Sequence, residues 1–320
     1  NQFQFNFIKI IYIHYFNMDL ILRNLDNTMN LDKYKLESII SNRSLKIYWG
    51  IAPIDDISID FFIHIIKIAD FLSAGCSVKI LLADLHAYLD NQNISWSIIK
   101  QKTHYYEELI KCMIQSIGIS SDKLQFIQGT DFQLEREYNL DAYKLMGLIT
   151  EQNAKDAGIN IIKKENNSLL SSLIYPILQI LDEHYLNVDA QFGGYEQKNI
   201  FNLAEDFLPK IGYRKRFHLI NPKNNLELYE KIYCLDSEEI IEKKIKIGYI
   251  KEFIKLVLFP IYGNIFYNNN HYTSYQKLIE LSDIELIDIG KIYINRLLEP
   301  IRKKFQSYSL KKYNTTIFQH

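Results

Sequence analysis

Tyr175, Gln179 and Asp182 have the types and spacing of a recognition site. They fall at i, i+4 and i+7, which places them on one stripe of a helix. Their neighbours Ile177, Leu178, Ile180 and Leu181 are apolar, so the helix is fit for burial. A buried glutamine and a buried carboxylate need partners, because each unpaired polar group costs roughly 1–3 kcal/mol. A bound polar molecule would supply them, and so would satisfied neighbours within the core. Other chemistry is sparse. Cys76, Cys112 and Cys234 are widely spaced with no CxxC pair, which fits reduced thiols rather than a disulfide framework or a metal site. Lys303, Lys304, Lys311 and Lys312 form the only late basic cluster. It reads as a solvated helix face or as a phosphate contact.

Elements able to position such a stripe are easily found. The 320 residues are 48% hydrophobic and 23% charged, enough for two domains with sizeable cores. The formal net charge of −1 excludes a global basic field, though not a local patch. No apolar run reaches the roughly 18–20 residues of a membrane span, so no membrane partner is expected and the expected location is cytoplasmic. Residues 1–17 are aromatic and apolar, lack an initiator Met and lack a signal-peptide layout. They are set aside as a disordered or non-native extension, with Met18 a plausible start. A helical pattern covers 19–41, followed by strands at 45–51, 78–83 and 124–128 and helices at 61–73, 96–117 and 141–157. This βαβ rhythm predicts an α/β fold with a Rossmann-type parallel sheet and a ligand at the carboxyl ends of the strands. A long helix over 169–185, a strand over 186–190, a Gly193-Gly194 turn and a helix over 199–208 follow. Beyond Asn221-Pro222 helical patterns dominate, with Asn268-Asn269-Asn270 as a loop. The domains are set at 18–235 and 236–320.

Several collinear blocks carry a resemblance. They are KIYWG at 46–50, KIADFLSAGC at 67–76, ADLHAYLDN at 83–91, GTDFQL at 129–134, YPILQILD at 175–182, VDAQFGGYEQKNIF at 188–201, HLINP at 218–222 and LEPIRKKF at 298–305. Together they resemble the eukaryotic- and archaeal-type tyrosyl-tRNA synthetases from about Asp19 to Phe305. The resemblance implies a class I catalytic domain followed by an all-helical anticodon-binding domain. It also implies that Tyr48 and Asp182 bond a substrate phenol, and that Tyr175, Gln179 and Gln197 hold its α-amino group. Asp84 and His86 are read as supports behind that site.

The same resemblance exposes departures. The family's HIGH motif aligns with APIDDISIDF at 52–61. Ser58 stands where the first histidine belongs, and Asp60 where a small residue lets ATP approach, with Ile59 and Phe61 completing the degenerate motif. Asp55 and Asp56 replace a glycine and a basic residue. Three carboxylates are thus expected to face a triphosphate, at a few kcal/mol per pair at roughly 4–6 Å. The lysine-rich KMSKS loop should follow HLINP, but KNNLELYEKIYCLD at 223–236 is short and has no Lys-Met-Ser run. No catalytic residue is expected to be intact. ATP and Mg are expected only if the family activity survives.

By resemblance, Phe266 and Tyr267 lie near an aromatic that stacks on an anticodon base, and the stretch 145–162 carries a dimer contact. The expected partners are L-tyrosine, tRNA(Tyr) and a second subunit, in a homodimer or in a heterodimer or tandem with an active synthetase. Three functions stay open: a non-catalytic synthetase subunit or tandem half, an active tyrosine–tRNA ligase, and a tyrosine-binding or scaffolding protein with no tRNA role.

Overall fold

The computed structural model describes residues 17–26, 32–90, 94–120, 124–161 and 169–307. Residues 1–16 of the extension, Leu31, Ile162, Lys311 and Lys312 lie outside the described residues. In chain order the first elements are α1 (Lys33–Asn42), β1 (Lys46–Ile51), α2 (Phe62–Ser73), β2 (Ser77–Leu82), α3 (Asp84–Asp90), α4 (Trp96–Ser116) and β3 (Leu124–Gln128). Then come α5 (Arg136–Met146), α6 (Glu151–Gly158), α7 (Leu170–Tyr185), β4 (Ala190–Gly193), α8 (Lys198–Phe207) and β5 (Phe217–Ile220). The C-terminal elements are α9 (Glu238–Lys244), α10 (Ile247–Phe253), α11 (Phe259–Tyr262), β6 (Ile265–Tyr267), β7 (Asn270–Tyr272), α12 (Tyr275–Leu278) and α13 (Asp283–Phe305).

The chain divides into two compact units, one of 1–54, 70–103 and 122–223, the other of 55–69, 104–121 and 224–320. The sequence reading placed a single break near Asp236. By packing, the division falls after Lys223, and two earlier segments join the C-terminal residues. The cause is visible in the second unit. Ser58 pairs with Tyr233 in an antiparallel bridge, and the Tyr105 and Phe305 rings meet edge to face at 5.5 Å.

The first unit holds a five-stranded sheet of order β3-β2-β1-β4-β5, parallel throughout. The chain runs outward from β1 to β3 and then restarts on the other side of β1 at β4. That restart is a topological switch point, where open α/β sheets bind ligands. Strands 46–51 and 77–82 are rich in Ile, Val and Leu, as strands covered on both faces must be. A helical layer of α5, α6, α7 and α8 shares one apolar core, with Tyr138, Leu145, Ile180, Leu181, Ile200 and Leu208 fully buried. The single helix expected over 141–157 is two: the first ends at Met146 with Gly147 as its C-cap, and Thr150 starts the second with a reciprocal Thr150–Asn153 box. The strand expected over 186–190 begins at Ala190. Asn187 has φ 50°, a left-handed turn that no strand tolerates.

In the second unit α10 continues through a π-helical stretch, Ile254–Leu258, into α11. The long α13 buries Leu286, Ile289, Ile294, Leu298 and Ile301 along one face, started by a Ser282–Glu285 capping box. The asparagine-rich loop is the turn of a β6–β7 hairpin. Asn268 and Asn269 have φ 48° and 62°, and Tyr267 pairs with Asn270. Two left-handed central residues make a type I′ turn, which asparagine tolerates.

Candidate functional site

The candidate site belongs to the first unit and starts from β1 and β4. Tyr48 and Gln191 are register partners on these parallel strands, so their side chains stand on the same face. Gly50, Ile51 and Ala52 follow at the carboxyl end of β1, and Ala83 follows β2. These residues line an open-mouthed cavity with ≈ 340 Å³ of atom-free space, together with Leu81, His86, Tyr175, Gln179, Asp182 and Gln197. All five side chains singled out in the sequence, Tyr48, Tyr175, Gln179, Asp182 and Gln197, border it.

The polar groups here are buried and under-satisfied. Asp182 is 1% exposed. Its Oδ1 accepts from Gln133 Nε2 and from the Tyr138 hydroxyl, each at 2.8 Å. Its Oδ2 is buried with no protein partner. Burial raises its pKa to about 8 against the two hydrogen bonds that lower it, and neighbouring Glu183 adds to the rise. Gln191 Oε1 and Gln197 Oε1 are likewise buried without a partner. Such orphaned acceptors cost roughly 1–3 kcal/mol each, so the cavity is built for a ligand carrying donors. Tyr48 is fully buried, and its hydroxyl reaches only the Gln179 carbonyl at 3.5 Å. Burial, with Asp182 and Glu183 nearby, pushes its pKa well up, so it stays a phenol able to donate. His86 stands edge-on to Tyr175 at 4.5 Å, and burial lowers its pKa to about 4. It is a neutral ring in the wall.

Two glycines make room for this arrangement. A Cβ at Gly193 would overlap Gln197 Oε1. A Cβ at Gly129 would overlap Gln133 Oε1 and stand 2.9 Å from Asp84 Oδ1. Asp84 in turn accepts from Thr130 through its backbone N–H at 3.0 Å and its hydroxyl at 2.6 Å, which holds the turn carrying Gln133. Asp84 thus braces that turn from behind.

Residues 55–61 of the degenerate HIGH segment belong to the second unit. Asp56 Oδ1 accepts from the Tyr105 hydroxyl at 2.8 Å and Asp60 Oδ1 from the Tyr249 hydroxyl at 2.7 Å. Ser58 Oγ donates to Asp60 Oδ2 at 3.2 Å. Asp55 is exposed. The expectation of three carboxylates ranged together is thereby modified, since two of them are held by tyrosine hydroxyls. The segment standing where KMSKS belongs is pinned to the same strip. Ile59 N–H donates to the Ile232 carbonyl at 2.8 Å and Cys234 N–H to the Ile57 carbonyl at 3.0 Å. Position 58 offers a hydroxyl rather than an imidazole, and the carboxylates at 56 and 60 are already engaged as acceptors.

A model of the class I tRNA synthetases for tryptophan and tyrosine matches residues 41–247. The cytoplasmic tyrosine–tRNA ligase of Danio rerio is 42% identical over 93% of this chain and 62% of its own length. That of Gallus gallus is 43% identical over 92% and 61%. The chain belongs to the tyrosyl-tRNA synthetase family. It spans about three fifths of the length of these vertebrate synthetases. A probable cytoplasmic tyrosine–tRNA ligase of Enterocytozoon bieneusi is 41% identical and is itself covered over 90%. Among solved structures, the tyrosyl-tRNA synthetase of Archaeoglobus fulgidus complexed with L-tyrosine superposes with a TM-score of 0.79 at 26% identity, over 90% of this chain and 98% of that one.

Sequence reasoning missed Gln133, Tyr138 and Gln191. Gln133 lay inside the GTDFQL block, but nothing local marked it as the partner of an aspartate 49 residues away. The signal for Gln191 was a polar residue inside an otherwise apolar strand. Phe266 is 64% exposed and stacks flat on His271, centroids 4.3 Å apart and planes 5° apart. Tyr267 is not a free platform, since its hydroxyl donates to Asp288 at 2.9 Å. In the late basic cluster Lys303 pairs with Glu299 at 2.5 Å and Lys304 with Glu108 at 3.4 Å.

Proposed function

We propose that this chain is a tyrosine-recognising tyrosyl-tRNA synthetase subunit that does not form the tyrosyl adenylate by itself. It serves tRNA(Tyr) as the non-catalytic member of a dimer or as one half of a tandem, in the cytoplasm. The observation that carries this reading is the pairing of Asp56 with Tyr105 and of Asp60 with Tyr249. Adenylation asks the protein mainly to position phosphates and to stabilise charge on the departing pyrophosphate, and acidic residues at these positions do neither. L-tyrosine suits the cavity of the first unit. Its phenol hydroxyl matches Asp182 Oδ2 and the Tyr48 hydroxyl, and its ammonium matches acceptors such as Gln179, Gln197 and Tyr175. Support for a dimer comes from apolar side chains exposed on and beside α5 and α6: Leu134, Leu140, Tyr143, Leu148 and Ile159. Contact with tRNA is assigned to the hairpin carrying Phe266, whose ring with His271 offers a stacking face.

Calorimetry tests the reading. L-Tyrosine is expected to bind with L-phenylalanine excluded, and ATP is expected to leave the tyrosine isotherm unchanged. Failure of tyrosine to bind would sink the proposal.

A second reading is an active tyrosine–tRNA ligase. Identity above 40% to named ligases over more than nine tenths of the chain favours it. The comparisons weigh toward this reading, while residues 55–60 weigh toward the first.

A further inference from the structure

The first unit holds a second, larger cleft at the opposite ends of the strands. It has ≈ 700 Å³ of atom-free space, mouth included. The strand-end residues that form it are Asp189, just before β4, and Arg214, Lys215, Arg216 and Phe217, leading into β5; Lys35 adds a side chain from α1. The tyrosine cavity, by contrast, takes the carboxyl ends of β1 and β2.

Charges in the cleft are unequally committed. Asp189 is 3% exposed and already clamped by Arg43, Nη2 to Oδ1 at 2.8 Å, by Arg214 at 3.1 Å and by the Lys46 N–H at 3.1 Å. Glu205 pairs with His218 Nδ1 at 3.4 Å. Asp32 caps α1 by accepting from Lys35 N–H at 3.0 Å. The carboxylates on the wall are therefore engaged. Of the cations, Arg214 is held by Asp189, and the other three are less committed. Among the described residues neither Lys35 nor Lys215 makes an ion pair; the Lys35 ammonium lies 5.8 Å from the Phe217 ring centre. Arg216 is 8% exposed. It donates to the Arg214 carbonyl and to His184, yet its Nε is buried with no partner. A guanidinium N–H buried without an acceptor is costly, and an anion in the cleft would supply one.

We infer that this cleft binds a phosphate group, held by Lys35, Lys215 and the buried Arg216. The group is either free phosphate or pyrophosphate, or a backbone phosphate of tRNA. Charge-assisted hydrogen bonds from arginine and lysine to phosphate oxygens are the strong ones, and the exposed lysines give a bound anion its entry path.

The test is titration of the full chain with inorganic phosphate and with pyrophosphate at constant ionic strength, for the wild type and for a Lys35→Ala, Lys215→Ala double variant. Saturable binding is expected in the wild type and at least about tenfold weaker binding in the variant. L-Tyrosine affinity is expected to be the same in both, which shows the variant is folded. A labelled tRNA(Tyr) separates the sources. If phosphate displaces it and the variant binds it more weakly, the occupant is the tRNA backbone. If tRNA binding is indifferent to both, the occupant is a free anion. No saturable binding of phosphate, pyrophosphate or tRNA to the wild type, or binding that survives the double substitution, overturns the inference.

Discussion

Asp182 and His218 sit on the same side of a pH argument, for different reasons. Asp182 is raised from 3.8 to about 8, chiefly by burial. Folding therefore takes up a proton between those values, and the contribution to stability falls as pH rises across that window. Unfolding measured from pH 4 to pH 8 should show that slope in the wild type and lose part of it in Asp182→Asn. His218 is raised from 6.5 to about 9. Burial opposes the rise, but Glu183 and Glu205 outweigh it, with Nε2 only 2.7 Å from Glu183. Its stabilising charge is fully present below about pH 6.5 and lost as pH passes through 9. A His218→Gln variant should be less stable than the wild type at pH 6 and converge toward it above pH 9; parallel curves would contradict the buried ion pair. On the ligand side, Asp182→Asn should weaken L-tyrosine binding about tenfold, the scale of a mispaired hydrogen bond at a buried site. Asp182 was legible in the sequence from its spacing and apolar neighbours. Gln133 and Tyr138, which hold its Oδ1, were not, because their proximity is made by the fold rather than by local sequence.

At the scale of elements, β4 and the strip 56–60 make separate predictions. Gly193 ends β4, where a Cβ would overlap the Gln197 amide. Gly193→Ala should leave the sheet intact, since no positive φ is required there, while pushing Gln197 out of the cavity wall. L-Tyrosine affinity should fall about tenfold with a change in melting temperature too small to explain it. In the second unit Tyr249 is 1% exposed and donates to Asp60. Tyr249→Phe leaves that acceptor short of a donor in a half-buried site, so chemical denaturation should show a loss of about 1–3 kcal/mol. An unchanged midpoint would mean that Asp60 is not anchored as described. The sequence located β1, β2, β3 and α7 to within a residue or two, because their apolar periods are clear. It missed β5 and the β6–β7 hairpin. Phe217–Ile220 is only four residues long, and the hairpin strands are three residues each, too short for a period to register.

For the whole molecule, the family and a division in two were legible from the sequence, but the interleaving of the two units was not. Residues 55–69 and 104–121 are distant in sequence from 224–320, and contacts such as the pairing of Ser58 with Tyr233, the Tyr249–Asp60 hydrogen bond and the ring contact of Tyr105 with Phe305 reveal that they pack together. The apolar side chains exposed around α5 and α6 predict self-association. Sedimentation should report a dimer, and replacing Leu148 and Ile159 with Asp should shift it toward monomer. The non-catalytic role proposed for this chain requires tyrosine recognition without adenylation. Tyrosine-dependent ATP–pyrophosphate exchange by the purified full chain, alone, tests it most directly. No exchange above background is expected from a sample that still binds L-tyrosine; robust exchange would contradict the non-catalytic role and establish an active ligase that tolerates Ser58 and Asp60.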